Sequence, residues 1–325
     1  MIFVTGATGF LGKPLVLELI QQGYEVRILT RPSSEVGFFE NLARVEIVQG
    51  DILDPPSLEQ AMQGCQVVIH AAALFRFWGQ AQSFSDTNVT GTENVLQAAC
   101  RLGVTRFVYT STIAVAGEIE PGTVITEKTS PNPVDPYQAS KLRSEQVVQH
   151  YHRQCGLNTV ILRLGALYGP YSRYAFNRLF FEEFLRGWRI QVSGGRHIIF
   201  PCFVADAARA IEAAIRLGKP GQVYNISGWS ISHRDLNRLI SRQAGRLNWR
   251  LNLPKEAMIA TASLMELVAK LIKKEPFYPL NLKTYVFQDW YVDISKAQKE
   301  LGFQPTPIEE GIRQTLAWYD QLGIK

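Results

Sequence analysis

Over the first half of the chain, short runs of consecutive apolar side chains alternate with longer stretches in which apolar positions recur every three or four residues. The runs "MIFVT", "EVRILT", "VEIVQG", "VVIHAA" and "RFVYTST" predict strands, and "KPLVLELIQQG", "SLEQAMQGC" and "NVTGTENVLQAACRLG" predict the helices between them. A helix over 136–154 and a strand "TVILRLG" extend the series. Strands that are apolar on both faces, each followed by a helix, suit a parallel sheet covered on both sides. The expected class is therefore α/β with a doubly wound parallel sheet. From about residue 171 the pattern changes. Aromatic residues crowd "RYAFNRLFFEEFLRGWRI", a strand-like "QVYNIS" recurs at 222–227, and helical spacing then dominates. Two units are expected: residues 1–170 carrying the sheet, and 171–325 forming a smaller, mostly helical lobe. The stretch 222–227 returns to the sheet and interweaves the two.

Glycines 6, 9 and 12 in "TGATGFLG" stand where the chain passes from the first strand to the first helix. Glycine weakens either element, so three of them need a geometric reason. One reason is close approach of a dinucleotide pyrophosphate to the free N–H groups of the helix N-terminus. The spacing G-x-x-G-x-x-G is one residue longer than the usual G-x-G-x-x-G, and on spacing alone a plain tight turn explains it equally well.

Hydrophobic content of 46% and charged content of 19% in 325 residues fit a soluble globular protein. The most membrane-like stretch, "AMIATASLMELVAKLI" at 257–272, carries Glu266 and Lys270 and falls short of the roughly 20 residues a membrane span needs. The net charge of +5 comes from lysines and arginines scattered among acids, with no nucleic-acid motif, so a mildly basic surface and no nucleic-acid partner are expected. Cys65, Cys100, Cys155 and Cys202 form no C-x-x-C pair and are expected as free buried thiols in a reducing compartment. His150 and His152, two apart on a helix, cannot face one ligand, and His70, His197 and His233 are isolated, so no metal site is expected. With a strand at the first residues, no targeting leader and a cytoplasmic location are expected.

The segment "DPYQASKLRSEQVV" holds the most specific chemistry. Asp135 is placed to cap a helix that opens with Pro136, which puts Tyr137 in the first turn and Lys141 four residues on, above the same face. A phenol ordinarily titrates near pH ~10. An ammonium beside it favours the anion and brings it toward the range where it exchanges protons. Such a pair can serve as a general acid-base catalyst. Just upstream, "VYTST" ends a predicted strand and delivers hydroxyls to the carboxyl edge of the sheet, where ligands bind in such folds.

With "TGATGFLG", "TSTIAVAG" and "YQASK" in this order, the sequence resembles the extended short-chain dehydrogenase/reductase superfamily, also called the NAD-dependent epimerase/dehydratase family. "GDILDP", "IHAAA", "NVTGTENVL", "LRLGALYGP", "FVADAARAI" and "DISKAQKELGFQPTPIEEGI" extend the likeness over nearly the whole chain. The resemblance implies a Rossmann-type sheet, with Tyr137 as proton donor or acceptor. It implies that Lys141 holds the nicotinamide ribose and lowers the phenol's pKa, and that Thr112 bonds the substrate oxygen. Ser111 is adjacent, and a shift of one residue exchanges the two. It further implies a cofactor bed of Gly6, Thr8, Gly9, Phe10, Leu11, Gly12, Arg31, Asp51, Ile52, Ala71, Ala72, Ala73, Leu164 and Leu167, together with Tyr137 and Lys141 themselves. Asn88 is expected as a polar anchor at a helix start, and His70 as a packed strand-end residue.

Where the second strand ends, an acidic side chain selects NAD and a nearby arginine accommodates a 2′-phosphate. Here Arg31 stands with Ser33 and Ser34 beyond it, which favours NADP while leaving NAD open. Nucleotide-sugar members of the family often carry Asn and Arg at the positions matching Ala166 and Ile199, both for a diphosphate. In their place stand "LFRFWG" at 74–79 and Tyr174, Phe176, Phe180 and Phe181. The likeness is nearest the dihydroflavonol reductase and hydroxysteroid dehydrogenase branch. An oxidoreductase acting on a largely apolar secondary alcohol or ketone is the expectation. A sugar or nucleotide-sugar epimerase or dehydratase is the first alternative, with Arg173, Arg178 or Arg196 meeting the diphosphate. A non-catalytic NADP-sensing protein is the second. A homodimer is allowed.

Overall fold

The computed structural model describes residues 1–324. Seven strands form one parallel sheet: β1 (Ile2–Thr5), β2 (Val26–Thr30), β3 (Val45–Gln49), β4 (Val67–His70), β5 (Arg106–Thr112), β6 (Thr159–Leu164) and β7 (Val223–Ile226). Their order is β7-β6-β5-β4-β1-β2-β3. The chain winds outward from β1 to one edge, then crosses back through β4 to build the other, which makes the β1–β4 boundary the point where the winding reverses. In such a sheet the crevice beyond the strands' carboxyl ends opens there.

Helices α1 (Gly12–Gln21), α5 (Val204–Leu217) and α8 (Ser295–Leu301) cover one face, and α2 (Pro55–Met62), α3 (Gly91–Arg101) and α4 (Pro136–Cys155) cover the other. Side chains alternate between the two: Ile2 and Val4 enter the first core and Phe3 the second. This explains why the strands read as unbroken apolar runs. The stretch read as one helix from 88 is instead a wide π-type turn at Ser85–Thr90 followed by α3. The wider turn carries Asn88 into the interior, where it is 1% exposed.

Beyond β6 the chain builds a lobe from α6 (His233–Gln243), α7 (Lys255–Ile272), α9 (Ile308–Gln321) and several two-stranded pairings. Its core is aromatic. Tyr168, Phe181 and Tyr319 lie nearly parallel, with ring centroids 6.2 and 6.3 Å apart. Phe181, expected as a substrate wall, is fully buried in this stack instead, because the turn that faces Phe180 toward the cleft sends its neighbour inward.

The thiols also depart from expectation. Cys65 and Cys202 are buried, but Cys155 is exposed and Cys100 half-buried. Both of the latter sit at helix C-termini, where burial and then the adjacent Cys155 thiol push Cys100 up to about 12. Among the described residues no helix is long and apolar enough to cross a membrane.

Candidate active site

The cleft lies at the carboxyl ends of β1, β4, β5 and β6 and has about 1630 Å³ of open space, counting its mouth. Its floor begins with the glycine turn. Gly6 has φ +77°, and a Cβ there would lie 2.5 Å from the Ala72 nitrogen, so a side chain is barred by both conformation and contact. A Cβ on Gly12 would enter the Ala7 backbone, so this glycine lets α1 pack directly on the turn. Gly9 would meet only the Gly6 carbonyl, at 3.2 Å, and otherwise borders the cleft. Helix α1 has no side-chain cap and no acidic residue in its first turn. Its positive end is thus left for an anion, and the turn fits a dinucleotide pyrophosphate.

Helix α4 sets the Tyr137 side of the cleft. Asp135 accepts the Gln138 N–H at 2.8 Å, Pro136 opens the helix, and Gly156 ends it in the left-handed region. Two interior ties lock it in place, one to the sheet and one to the Ser85–Thr90 turn. Arg163 on β6 makes a bidentate pair with Glu145, at 2.9 and 2.7 Å, and the Ser144 hydroxyl donates to the Asn88 carbonyl at 2.7 Å. Asn88 itself donates to Ser140 and to the Leu74 carbonyl and accepts the Leu74 N–H. It therefore braces the segment after β4 against α4. His70 is enclosed between the Thr5 and Thr92 hydroxyls at 2.7 and 3.0 Å. Burial and then the Lys141 charge hold it down to about 3, so it stays neutral.

Tyr137 and Lys141 both line the cleft, as do Thr110, Ser111 and Thr112. The Lys141 ammonium donates to the Thr110 carbonyl at 2.7 Å and sits 4.3 Å from the Tyr109 ring centroid. Burial lowers it to about 7, against a smaller opposing pull from Glu145. The expectation that Lys141 lowers the phenol's pKa is corrected here. Burial and then the Asp135 carboxylate raise Tyr137 above its ordinary value, against a smaller lowering by the Thr112 hydroxyl. The cause is direction: the ammonium is spent on a carbonyl and a neighbouring ring. The Thr112 hydroxyl accepts the Ala114 N–H at 3.2 Å, while the buried Ser111 Oγ has no hydrogen-bond partner.

The rest of the expected cofactor bed divides. Phe10, Leu11, Ala71, Ala73, Leu164 and Leu167 line the cleft with Gly6 and Gly9. Ala72 lies just behind, its N–H donating to Thr5 Oγ1 at 3.3 Å, and Gly12 and Thr8 are outside the lining. Arg31 is exposed past the end of β2. Asp51, past the end of β3, accepts the Leu53 N–H at 2.9 Å, and Ile52 is buried against Gly91.

The facing wall is aromatic. The Phe75 ring lies 4.8 Å from that of Tyr137 and 5.2 Å from Phe77, which in turn lies 5.2 Å from Tyr285. Tyr174 meets both phenylalanines, and its hydroxyl donates to Glu275 at 2.6 Å. The Tyr285 hydroxyl donates to Asp135 at 2.9 Å, closing the ring of contacts around the Tyr137 turn. Ala166, Phe176, Phe180 and Ile199 also line this wall. Arg173 is paired with Glu182; Arg178 lies 3.8 Å from Glu183 and over the Phe277 ring; Arg196 is exposed. None of the three lines the cleft. Arg76 does, but it is engaged by Glu275 and the Tyr174 ring. Sequence reasoning missed Phe200, His233, Leu282, Tyr285 and Val286 in this wall, since nothing in their local pattern marks them.

The profile of the NAD dependent epimerase/dehydratase family matches residues 2–227. The putative dihydroflavonol 4-reductase of Synechocystis sp. is 30% identical over 332 residues, covering 99% of this chain and 95% of its own. The 4-hydroxy-2-methyl-3-oxo-4-farnesyl-3,4-dihydroquinoline-1-oxide ketoreductase of Stigmatella aurantiaca is 30% identical, covering 93% of this chain and 91% of its own. A double mutant of the dTDP-glucose 4,6-dehydratase of Streptomyces venezuelae, crystallised with NAD bound, superposes with TM-score 0.80 at 27% identity, covering 99% and 97%.

Proposed function

The chain belongs to the NAD-dependent epimerase/dehydratase family and is an oxidoreductase of the extended short-chain type. From that premise we propose that it moves a hydride between NADP and the carbonyl or carbinol carbon of a largely apolar molecule. The observation that carries this reading is the wall around Tyr137: aromatic rings, with every nearby arginine paired, turned away or engaged. A diphosphate drawn out of water needs donors or cations to meet its charge. Ala166 and Ile199 supply neither.

The nicotinamide supplies or accepts the hydride when bound. The Gly6–Gly12 turn, Ala71, Ala73, Leu164 and Leu167 form its bed, and Arg31 with Ser33 and Ser34 would take the 2′-phosphate. Tyr137, held protonated by its surroundings, is set to donate its proton to a carbonyl oxygen. Thr112 directs its one hydroxyl proton to the substrate oxygen before the transfer and to the phenolate after it, with Ser111 as its neighbour. Lys141 orders the carboxyl end of β5 through Thr110 and contacts the cofactor ribose. In this reading residues 1–170 together with β7 serve the cofactor, and the remainder of 171–325 serves the substrate. The names of two relatives, a putative dihydroflavonol 4-reductase and a ketoreductase, support the same direction.

The test is a screen of ketones, secondary alcohols and nucleotide sugars with NADPH and NADH, followed by absorbance of the reduced nicotinamide and by product analysis. Stoichiometric NADPH loss with an apolar ketone is expected. Conversion of a nucleotide sugar without net cofactor change would establish the epimerase instead.

A further inference from the structure

A second cavity of about 770 Å³ lies under α7, lined by Ile190, Val192, Met258, Ile259, Ala262 and Leu280 among others. Leu179, Phe180, His233, Leu282 and Val286 border both this cavity and the catalytic cleft, so the two share one partition. Within its wall two buried polar atoms, Glu183 Oε1 and His233 Nε2, have no hydrogen-bond partner. Buried polar groups are nearly always paired, so each of these two atoms has room for one more partner, a ligand donor or an ordered water. His233 stands at the partition, its ring 5.4 Å from that of Phe180. Glu183 lies deeper: its other oxygen accepts the Tyr278 hydroxyl at 2.8 Å, and Arg178 stays 3.8 Å from Oε1, beyond hydrogen-bond reach.

We propose that this chamber seats an apolar extension of the substrate that passes the partition at His233 and ends in a hydroxyl or amide donor accepted by Glu183. The inference rests on the reading of the cleft as a site for apolar ketones and goes further by giving the substrate a shape. Its carbonyl lies at Tyr137, and its tail turns under α7. A phosphate-bearing tail is disfavoured, because the acidic Glu183 lines the chamber and its one lysine among the described residues, Lys283, is exposed.

The test is calorimetric titration of the NADP-loaded protein with acetophenone, hexanophenone, decanophenone and a decanophenone bearing a terminal hydroxyl. Affinity should rise up to about four-fold per methylene while the chain is being buried, and rise again with the hydroxyl. Ala262→Trp fills the chamber and should flatten the series while leaving acetophenone binding and reduction intact. Ile259→Trp, on the same helix, gives a second obstruction should the first disturb folding. Glu183→Leu should remove only the gain from the hydroxyl. Affinity independent of chain length in the unmodified protein, or an unchanged slope in both tryptophan variants, would overturn the proposal. If the series behaves as expected while no ketone is reduced, the tail site stands and the proposed chemistry falls. Reduction of acetophenone with a flat series gives the converse.

Discussion

At the sheet wall of the cleft Gly6 and Gly12 bring backbone against backbone, whereas at the lobe wall Phe75, Phe77, Tyr174 and Tyr285 meet ring to ring. The first wall can be built only one way. A single added carbon meets main-chain atoms of Ala71 and Ala72 after β4, or of Ala7 before α1, which cannot move without shifting those elements. The second wall is made of side chains on a loop and a lobe, where rings of similar volume can repack. A constant partner such as a dinucleotide suits the first kind of surface, and a substrate that differs between relatives suits the second. Tyr137 stands at their meeting line, held by α4 from the sheet side and touched by Phe75 from the other.

The largest effect is expected where the walls meet. Tyr137→Phe should lower turnover by about 10²- to 10⁴-fold, the range of a lost general acid, with NADP affinity measured by calorimetry within about two-fold of the original. Equal loss of both would show that the phenol holds the cofactor rather than the reacting proton. Next comes the rim of the sheet wall. Arg31→Asp should weaken NADP by roughly ten- to hundred-fold, the value of a lost charge-assisted hydrogen bond, and leave NAD nearly unchanged. Parallel losses in fluorescence titrations would mean that Arg31 supports the fold or the adenine instead.

The contrast between walls sharpens in stability. Gly12→Ala should cost about 1–3 kcal/mol or more, and Phe77→Leu less than about 1.5 kcal/mol, by urea denaturation. A reversed order would remove the distinction between a backbone-built and a side-chain-built wall. A smaller, pH-dependent effect should come from Lys141, whose pKa is lowered from 10.5 to about 7 in the folded protein. Between those values the unfolded chain binds more protons than the folded one, so this group's contribution to stability rises with pH across the window and is lost as pH falls through 7. Lys141→Met should therefore gain melting temperature relative to the parent at pH 6, with the gain shrinking toward pH 10. A difference that is constant with pH would show that the ammonium is not buried as described.

The sheet was legible because its determinants are local. Period, glycine spacing and the Asp135–Pro136 helix start all act within a few residues. The far wall was not, since Tyr285 reaches Asp135 across 150 positions and Phe200 and His233 enter from separate segments. Adjacent residues also part company: Phe180 faces the cleft while Phe181 is sealed in the lobe core. The i,i+4 spacing rightly brought Tyr137 and Lys141 into one cleft but did not reveal where the ammonium points. That depends on the Thr110 carbonyl, on another element. Spacing identifies neighbours; the partners available around them decide the electrostatics.

The central claim is that the lobe wall receives apolar substrate rather than a diphosphate. Calorimetric titration of the NADP-saturated protein with uridine diphosphate and thymidine diphosphate, beside an aryl alkyl ketone, tests it most directly. The ketone should bind with a negative heat-capacity change, the mark of buried apolar surface, and neither diphosphate should bind at the cleft. Tight diphosphate binding that is lost on Arg173→Ala or Arg178→Ala would contradict the account and assign the cleft to nucleotide sugars.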